Sequence, residues 1–342
     1  MSGPQDLYPW LVADVGGSNA RFGWVEGPGA PVARLRSYAV QDFPGLEEAV
    51  RRYLQDLAAE LQAQGRGCPA PRHAAVAVAT AVAGDEVVLT NSRWRFSRQA
   101  LQAALQLQSL RVLNDFEALA LSLPRLRADQ VRAWGGPLPA AAGCLAVIGP
   151  GTGLGVAAVL QTGQGWQALP GEGGHATLAP ADDFESALLT HVRGRHAHVS
   201  AERLLSGIGL PTLHEAVCAV LGSQAAPEPL TPELILERGL AGQDPLCART
   251  LDSFCAMLGG FAGSVALTLG ARGGVYVGGG IVPRLGEAFF QSRFRERFEA
   301  KGRFQSYLAG IPTVLITDTL AAMGGVSLAI EQSLPGAAVV KF

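Results

Sequence analysis

Along Leu11–Glu26 the chain reads LVADVGGSNARFGWVE: an apolar run, an acid, a glycine-rich polar break, then a second mostly apolar run. The pattern predicts a strand over Leu11–Ala13 with Asp14 at its end, a tight turn at Gly16-Gly17-Ser18-Asn19, and a returning strand over Arg21–Val25. A third strand is predicted over Val32–Val40. Over Pro44–Gln64 the apolar period lengthens to that of a helix, with Leu46, Val50, Tyr53, Leu54, Leu57 and Leu61 on one face. His73–Thr80 reads as a buried strand and Asp85–Phe96 as a short polar–apolar excursion. Ser97 then caps a helix over Arg98–Gln108, and Leu110–Leu113 is a strand ending at Asn114-Asp115. Three meandering strands followed by helix, strand, helix and strand belong to an α/β domain with a mixed sheet, whose ligands gather at strand ends.

Past a linker-like run at Gly135–Gly143, the stretch Leu145–Leu160 (LAVIGPGTGLGVAAVL) repeats the strand–turn–strand unit, with Pro150-Gly151-Thr152 laid on Gly16-Gly17-Ser18. Adjacent glycines strip Cβ atoms from a bend, so backbone N–H groups can close on an anion. An acid at the strand end, Asp14, suits Mg²⁺ held through water. A single copy reads first as an ordinary hairpin turn; two copies point to paired phosphate-binding turns facing one ligand. The spacing GxGxGxG followed by a strand is not a dinucleotide fingerprint. Further on come a helix at Asp183–Arg193, a helix start at Ser200-Ala201-Glu202-Arg203, a Pro-rich loop at Gln224–Pro232, and a long helix at Asp244–Gly270. A buried strand follows within Gly273–Pro283, then a strand at Ile311–Ile316 and a helix at Leu320–Gln332. Gly324-Gly325 weaken that last helix unless something packs closely against them.

Composition narrows the function. A chain of 342 residues suggests two domains of about 150 each. With 48% apolar and 16% charged residues it can bury a large core. A net charge of −2 argues against nucleic acid as a partner. Its 43 glycines show no Gly-X-Y period, which leaves backbone-lined loops. Lys301 and Lys341 are the only lysines and neither follows a glycine, which excludes a Walker A loop. Five cysteines without a CxxC pair read as thiols in a reducing compartment. MSGPQDLYPW carries no signal pattern and no 18-residue apolar run is evident, so the expectation is a soluble, cytoplasmic protein with no membrane partner.

Several residues are candidates for chemistry. Asp115, between a strand and a helix, is either an N-cap or a general base taking a proton from a substrate hydroxyl. In Gly171-Glu172-Gly173-Gly174-His175, a Glu and a His three apart on a Cβ-poor backbone make a polar claw for sugar hydroxyls, the glycines letting the ligand approach; a solvated loop is the alternative. Glu202 either complements the dipole of a helix start or binds ligand. His191, His196 and His198 lack a completing ligand at metal spacing and read as surface histidines. Gly278-Gly279-Gly280 either lie against a nucleotide base or allow close helix packing.

Taken together and in order, DVGGSNAR (Asp14–Arg21), LNDFEA (Leu113–Ala118), GTGLG (Gly151–Gly155), GEGGH (Gly171–His175), HVSAERLLSG (His198–Gly207), GGVYVGGGIVPR (Gly273–Arg284) and KGRF (Lys301–Phe304) resemble the bacterial glucokinase family. That family belongs to the actin/hexokinase/Hsp70 ATPase fold, and the resemblance runs from about Leu11 to Ile330. It implies an α/β protein of two actin-like (RNase H-like) domains with mixed sheets flanked by helices and the active site in the cleft between them. The smaller domain would be 1–125 plus 316–342, the larger 126–315. It implies ATP-dependent phosphorylation of glucose at the 6-hydroxyl, with Asp115 as base and Asn114, Glu172, His175 and Glu202 on the sugar hydroxyls. Asp14, Gly16, Gly17, Ser18 and Asn19, with Gly151, Thr152 and Gly153, would hold the phosphates of ATP and its Mg²⁺, and Gly278, Gly279 and Gly280 would lie near the adenosine. A homodimer is implied too. The chain departs from the family at Ser18, where threonine is common, and at Thr80–Asp85 (TAVAGD), where the family often reads CPITGD; the second change bears on which sugar is preferred. The alternatives are a kinase for another hexose (mannose, fructose or an N-acetylated amino sugar) and a non-catalytic sugar sensor. Only about ten residues precede the first strand, too few for the helix-turn-helix a DNA-binding sensor needs.

Overall fold

A computed structural model describes residues 7–134, 138, 140–223 and 230–334. Parts of the expected linker (135–137 and 139) and of the Pro-rich loop (224–229) lie outside the described residues, as do both chain ends. The first strands are β1 (Trp10–Val15), β2 (Asn19–Val25) and β3 (Ala33–Ala39), followed by helix α1 (Leu46–Ala63) and strand β4 (His73–Val78). A small β5–β6 pair (Glu86–Val88, Arg95–Ser97), α2 (Arg98–Ala104), β7 (Ser109–Asn114) and α3 (Asp115–Ser122) come next. Then follow β8 (Val131–Ala133), β9 (Cys144–Pro150), β10 (Leu154–Thr162), β11 (Gly165–Leu169), and the helices α4 (Asp183–Arg193), α5 (Leu210–Val220), α6 (Pro232–Leu240) and α7 (Pro245–Leu269). After β12 (Gly274–Val277) stand four short helices, α8 to α11 (Val282–Leu285, Glu287–Gln291, Phe294–Glu299, Gln305–Ala309), then β13 (Thr313–Ile316) and α12 (Ala321–Ser333). Those four short helices carry too few turns to show a period in the sequence.

The described chain divides into two compact units, one of residues 7–126, 162–168 and 319–334, the other of 127–134, 138, 140–161, 169–223 and 230–318. In the first, the sheet runs β3-β2-β1-β4-β7, antiparallel through β3, β2 and β1 and parallel through β1, β4 and β7. Every residue of β4 is buried, as expected of a parallel strand covered on both faces. Helix α1 turns Leu46, Val50, Tyr53, Leu57 and Leu61 into this core, while Leu54 is half-buried. Ser97 does cap α2, its Oγ accepting from the Ala100 N–H, but the helix ends at Ala104, short of the expected Gln108. Helix α12 packs on α3 so closely that a Cβ added to Gly325 would stand 1.7 Å from the Ala118 carbonyl oxygen. The glycine pair that weakened the helix on paper is thus needed at one of its two positions.

In the second unit the sheet runs β10-β9-β12-β13-β8, with β9, β12 and β13 parallel and β10 and β8 antiparallel to their neighbours. The order β2-β1-β4-β7 of the first unit recurs here as β10-β9-β12-β13, which is the internal duplication at the level of topology. Helix α7 runs from its Asp244 cap, whose Oδ1 accepts from the Leu246 and Cys247 N–H groups, to Gly270 in the left-handed conformation. By length and composition α7 alone among the described helices is apolar enough to cross a membrane, contrary to the reading of the bare sequence. With 72% of its most apolar stretch buried inside the protein, it is a core helix. Gly259 and Gly263 on α7 admit α10, since Cβ atoms there would meet the Phe294 and Phe298 carbonyl oxygens at 2.1 and 2.4 Å.

Candidate active site

In the first unit, Asp14 stands within β1 rather than at its end, paired across the hairpin with Arg21 at 3.3 Å. Burial pushes its carboxyl up from the usual range, opposed by the charge and hydrogen bond of Arg21. Beyond the closing pair Val15–Ala20, the Gly16 N–H donates to the Asn19 carbonyl at 2.9 Å, and Ser18 and Asn19 are exposed. Gly17 has a neighbour that explains it: a Cβ would meet Asn91 at 2.9 Å.

Strand β7 hands directly to α3 at Asn114-Asp115, alongside the end of β4. Asn114, not Asp115, is the cap: its Oδ1 accepts from the Phe116 N–H (2.9 Å) and the Glu117 N–H (3.4 Å), and its Nδ2 donates to the Thr80 carbonyl (3.1 Å). Asp115 is the first helical residue, half-buried, with one carboxylate oxygen accepting from the Phe116 N–H at 2.9 Å.

In the second unit the β9–β10 turn is one residue shorter. Pro150 pairs with Leu154, and the Gly151 N–H donates to the Gly153 carbonyl at 2.9 Å. Structurally Gly151 therefore matches Gly16, one place along from the sequence overlay. The loop at 278–280 lies on the same strand end: the Gly278 N–H donates to Ile148 (2.8 Å) and the Ile281 N–H to Pro150 (3.1 Å). Gly279, at φ +78°, has no room for a Cβ, which would stand 2.4 Å from the Pro150 oxygen. Gly279 thus fits against a strand end and not against a helix, while a Cβ at Gly280 would meet open space.

The 171–175 loop docks on β10 immediately after the turn, with Glu172 bridging to Val156. Its glycines face the protein: a Cβ on Gly174 would lie 1.9 Å from the Leu154 oxygen and one on Gly173 3.0 Å from Val156. The expectation that they open a path for ligand is corrected to close backbone packing. Glu172 and His175 remain exposed.

No helix starts at Ser200; residues 200–209 form successive turns and α5 begins only at Leu210. Ser206, Gly207 and Gly209 in the sequence are the signal for that break. Glu202 accordingly has no helix dipole to serve. Its Oε2 accepts the Leu154 N–H at 2.8 Å, its own N–H donates to the Gly174 carbonyl at 2.8 Å, and Oε1 lies 3.9 Å from His175 Nδ1. Missed from sequence were Gly207 and Ile208, whose N–H groups reach the Gly151 and Thr152 carbonyls at 2.8 and 3.3 Å. The second unit thus gathers residues 151–153, 172–175, 202 and 278–280 about one strand end, and the first gathers 14–19 and 114–115 at the ends of β1 and β7. His191 and His198 take partners on the surface, Arg195 and Thr177 respectively.

The model of the glucokinase family matches residues 11–333. A glucokinase of Aromatoleum aromaticum is 48% identical over 98% of this chain and 98% of its own. One of Chromobacterium violaceum is 47% identical over 97% of this chain and 92% of its own. Among solved structures, a glucokinase from an Antarctic psychrotroph superposes with a TM-score of 0.86 at 35% identity, over 94% of this chain and 98% of its own.

Proposed function

The chain belongs to the glucokinase family and phosphorylates glucose with ATP, and we propose that Asp115 is the base of that reaction. The 6-oxygen of glucose bonds to the γ-phosphorus, the bond from that phosphorus to the β–γ bridging oxygen breaks, and ADP leaves while the hydroxyl proton passes to the Asp115 carboxylate. Little covalent chemistry falls to the protein, so positioning and charge stabilisation carry the rate.

Glu172, His175 and Glu202 bind the sugar hydroxyls. The 3.9 Å between Glu202 Oε1 and His175 Nδ1 suits a hydroxyl about 2.8 Å from each, donating to the first and accepting from the second. Asn114 has committed its oxygen to α3 and one amide hydrogen to Thr80, so it serves the sugar as a donor through the other. The turn residues Gly16, Gly17, Ser18 and Asn19, and Gly151, Thr152 and Gly153, hold the phosphates, and Gly278, Gly279 and Gly280 border the adenosine. Asp14 fits Mg²⁺ through water: it is one part-buried carboxylate, and no group of three metal-binding side chains gathers among the described residues. Such a donor set suits an ion that keeps its waters and takes phosphate oxygens. When bound, the ion neutralises phosphate charge. Glycolysis is the use we assign to the product, in the cytoplasm and from a homodimer; the five free cysteines suit that compartment.

The observation that carries the reading is the hydrogen-bonded assembly of turn, Glu202 and 172–175 loop about the end of β9. The test is a coupled assay of ADP release with Mg-ATP against glucose, mannose, fructose, N-acetylglucosamine, N-acetylmannosamine and no sugar. Turnover strongest with glucose is expected. A stronger rate on another sugar would shift the specificity to the altered Thr80–Ala83 loop, and no sugar-dependent turnover would overturn the reading.

A further inference from the structure

Residues 202–208 touch both the sugar-binding loop and the phosphate-binding turn, and we propose that they couple the two, so that glucose tightens the grip on the nucleotide. The inference rests on the assignment of those two elements above. At one end the Glu202 N–H holds the Gly174 carbonyl at 2.8 Å; at the other, Gly207 and Ile208 hold the Gly151 and Thr152 carbonyls at 2.8 and 3.3 Å. The Glu202 carboxylate is divided along the same line, with Oε2 on the Leu154 N–H and Oε1 toward His175. A sugar hydroxyl that donates to Oε1 fixes the carboxylate plane, and with it the bond from Oε2 to the turn.

The segment is stiff enough to transmit this. Leu204, Leu205 and Ser206 are fully buried, and buried, close-packed groups move together rather than one at a time. Ser206 Oγ donates to the Glu202 carbonyl at 2.7 Å and accepts from the Gly209 N–H at 3.0 Å, tying the two ends of the segment. The fit also explains glycines on either side. A Cβ at Gly153 would stand 2.4 Å from Glu202 Oε2, and one at Gly207 3.1 Å from the Gly151 oxygen. A side chain at Gly153 would therefore push the Glu202 carboxylate off the Leu154 N–H. Ser206 and Gly207 touch no substrate; they are positioning residues.

The test is calorimetric titration of the Mg complex of AMPPNP, with and without saturating glucose, on the wild type, Gly207→Ala and Ser206→Ala. The wild type should bind AMPPNP at least about fivefold more tightly with glucose, and by reciprocity bind glucose more tightly by the same factor with AMPPNP. Both variants should keep glucose affinity alone within about twofold while the coupling factor falls below about two. Gly207→Ala asks its neighbour to give only a few tenths of an ångström, so it folds and decides the matter if Ser206→Ala does not. Equal nucleotide affinity with and without glucose in the wild type, or full coupling in Gly207→Ala, overturns the proposal. Failure of glucose alone to bind the wild type is a separate reading of the same titration; it removes the sugar-site assignment and the coupling with it.

Discussion

Gly324 and Gly325 are neighbours in α12, yet alanine at the two positions should change stability in opposite directions. At Gly325 the new methyl would stand 1.7 Å from the Ala118 oxygen and 2.8 Å from the Ser122 nitrogen, both backbone atoms of α3. Restoring an ordinary contact requires the two helices to part by roughly 1.5 Å. Overpacking of that kind costs about 3 kcal/mol, against about 1 kcal/mol gained from replacing a helical glycine. The net expectation for Gly325→Ala is a loss of about 2 kcal/mol. At Gly324 the nearest atom is the Ser122 Cβ at 4.0 Å, an ordinary contact, so Gly324→Ala keeps the gain of about 1 kcal/mol. Urea unfolding followed by circular dichroism, compared through midpoints at constant slope, separates the two by about 3 kcal/mol. Because Asp115 is the first residue of α3, Gly325→Ala should also lower kcat, by about 100-fold for a displacement near 1 Å. If Gly325→Ala proved as stable as Gly324→Ala, the close packing of α12 on α3 would be refuted.

Gly174→Ala should raise the KM for glucose at least about tenfold with the fold retained, because a methyl 1.9 Å from the Leu154 oxygen lifts the 172–175 loop off β10; a glucose titration with unchanged KM would contradict this. Stability should fall on acidification. Burial lowers the pKa of His73 and of His214, the second partly offset by Asp244, so the unfolded chain takes up protons below about pH 6.5 while the folded chain does not. The stabilisation is complete above that pH and is lost as pH falls toward the depressed folded values, at no more than about 1.4 kcal/mol per pH unit for each histidine. His73→Asn with His214→Asn, keeping partners for Ser109 and Thr250, should flatten the profile between pH 7.5 and 5.5; urea midpoints that still fall as steeply would exclude these two as the source.

Much of the fold was legible because it rests on local rules. Helix α4 occupies Asp183–Arg193 with the bounds expected from sequence, and α7 lies between the Asp244 and Gly270 signals. Both glycine-rich hairpins form, and the strands around them recur in the same order. Non-local causes were the ones that escaped. Glycine at 173 and 174 signals bare backbone, but only the chain path shows that Leu154 and Val156, rather than a ligand, occupy the space. Asn114 and Asp115 are both good caps by type, and the choice between them depends on where β7 stops. Ser200-Ala201-Glu202-Arg203 has the composition of a helix start, yet the contacts of Glu202 with Leu154 and Gly174 hold it in turns.

The central claim is that Asp115 takes the proton from the glucose 6-hydroxyl, and the most direct measurement is steady-state kinetics of Asp115→Asn with glucose and Mg-ATP. The amide keeps the shape and the contact with the Phe116 N–H but cannot accept the proton. The account predicts kcat lower by about 10² to 10⁴ with the KM for glucose changed only a few-fold, because the base acts in the transition state. Wild-type kcat in a correctly folded Asp115→Asn protein would contradict it.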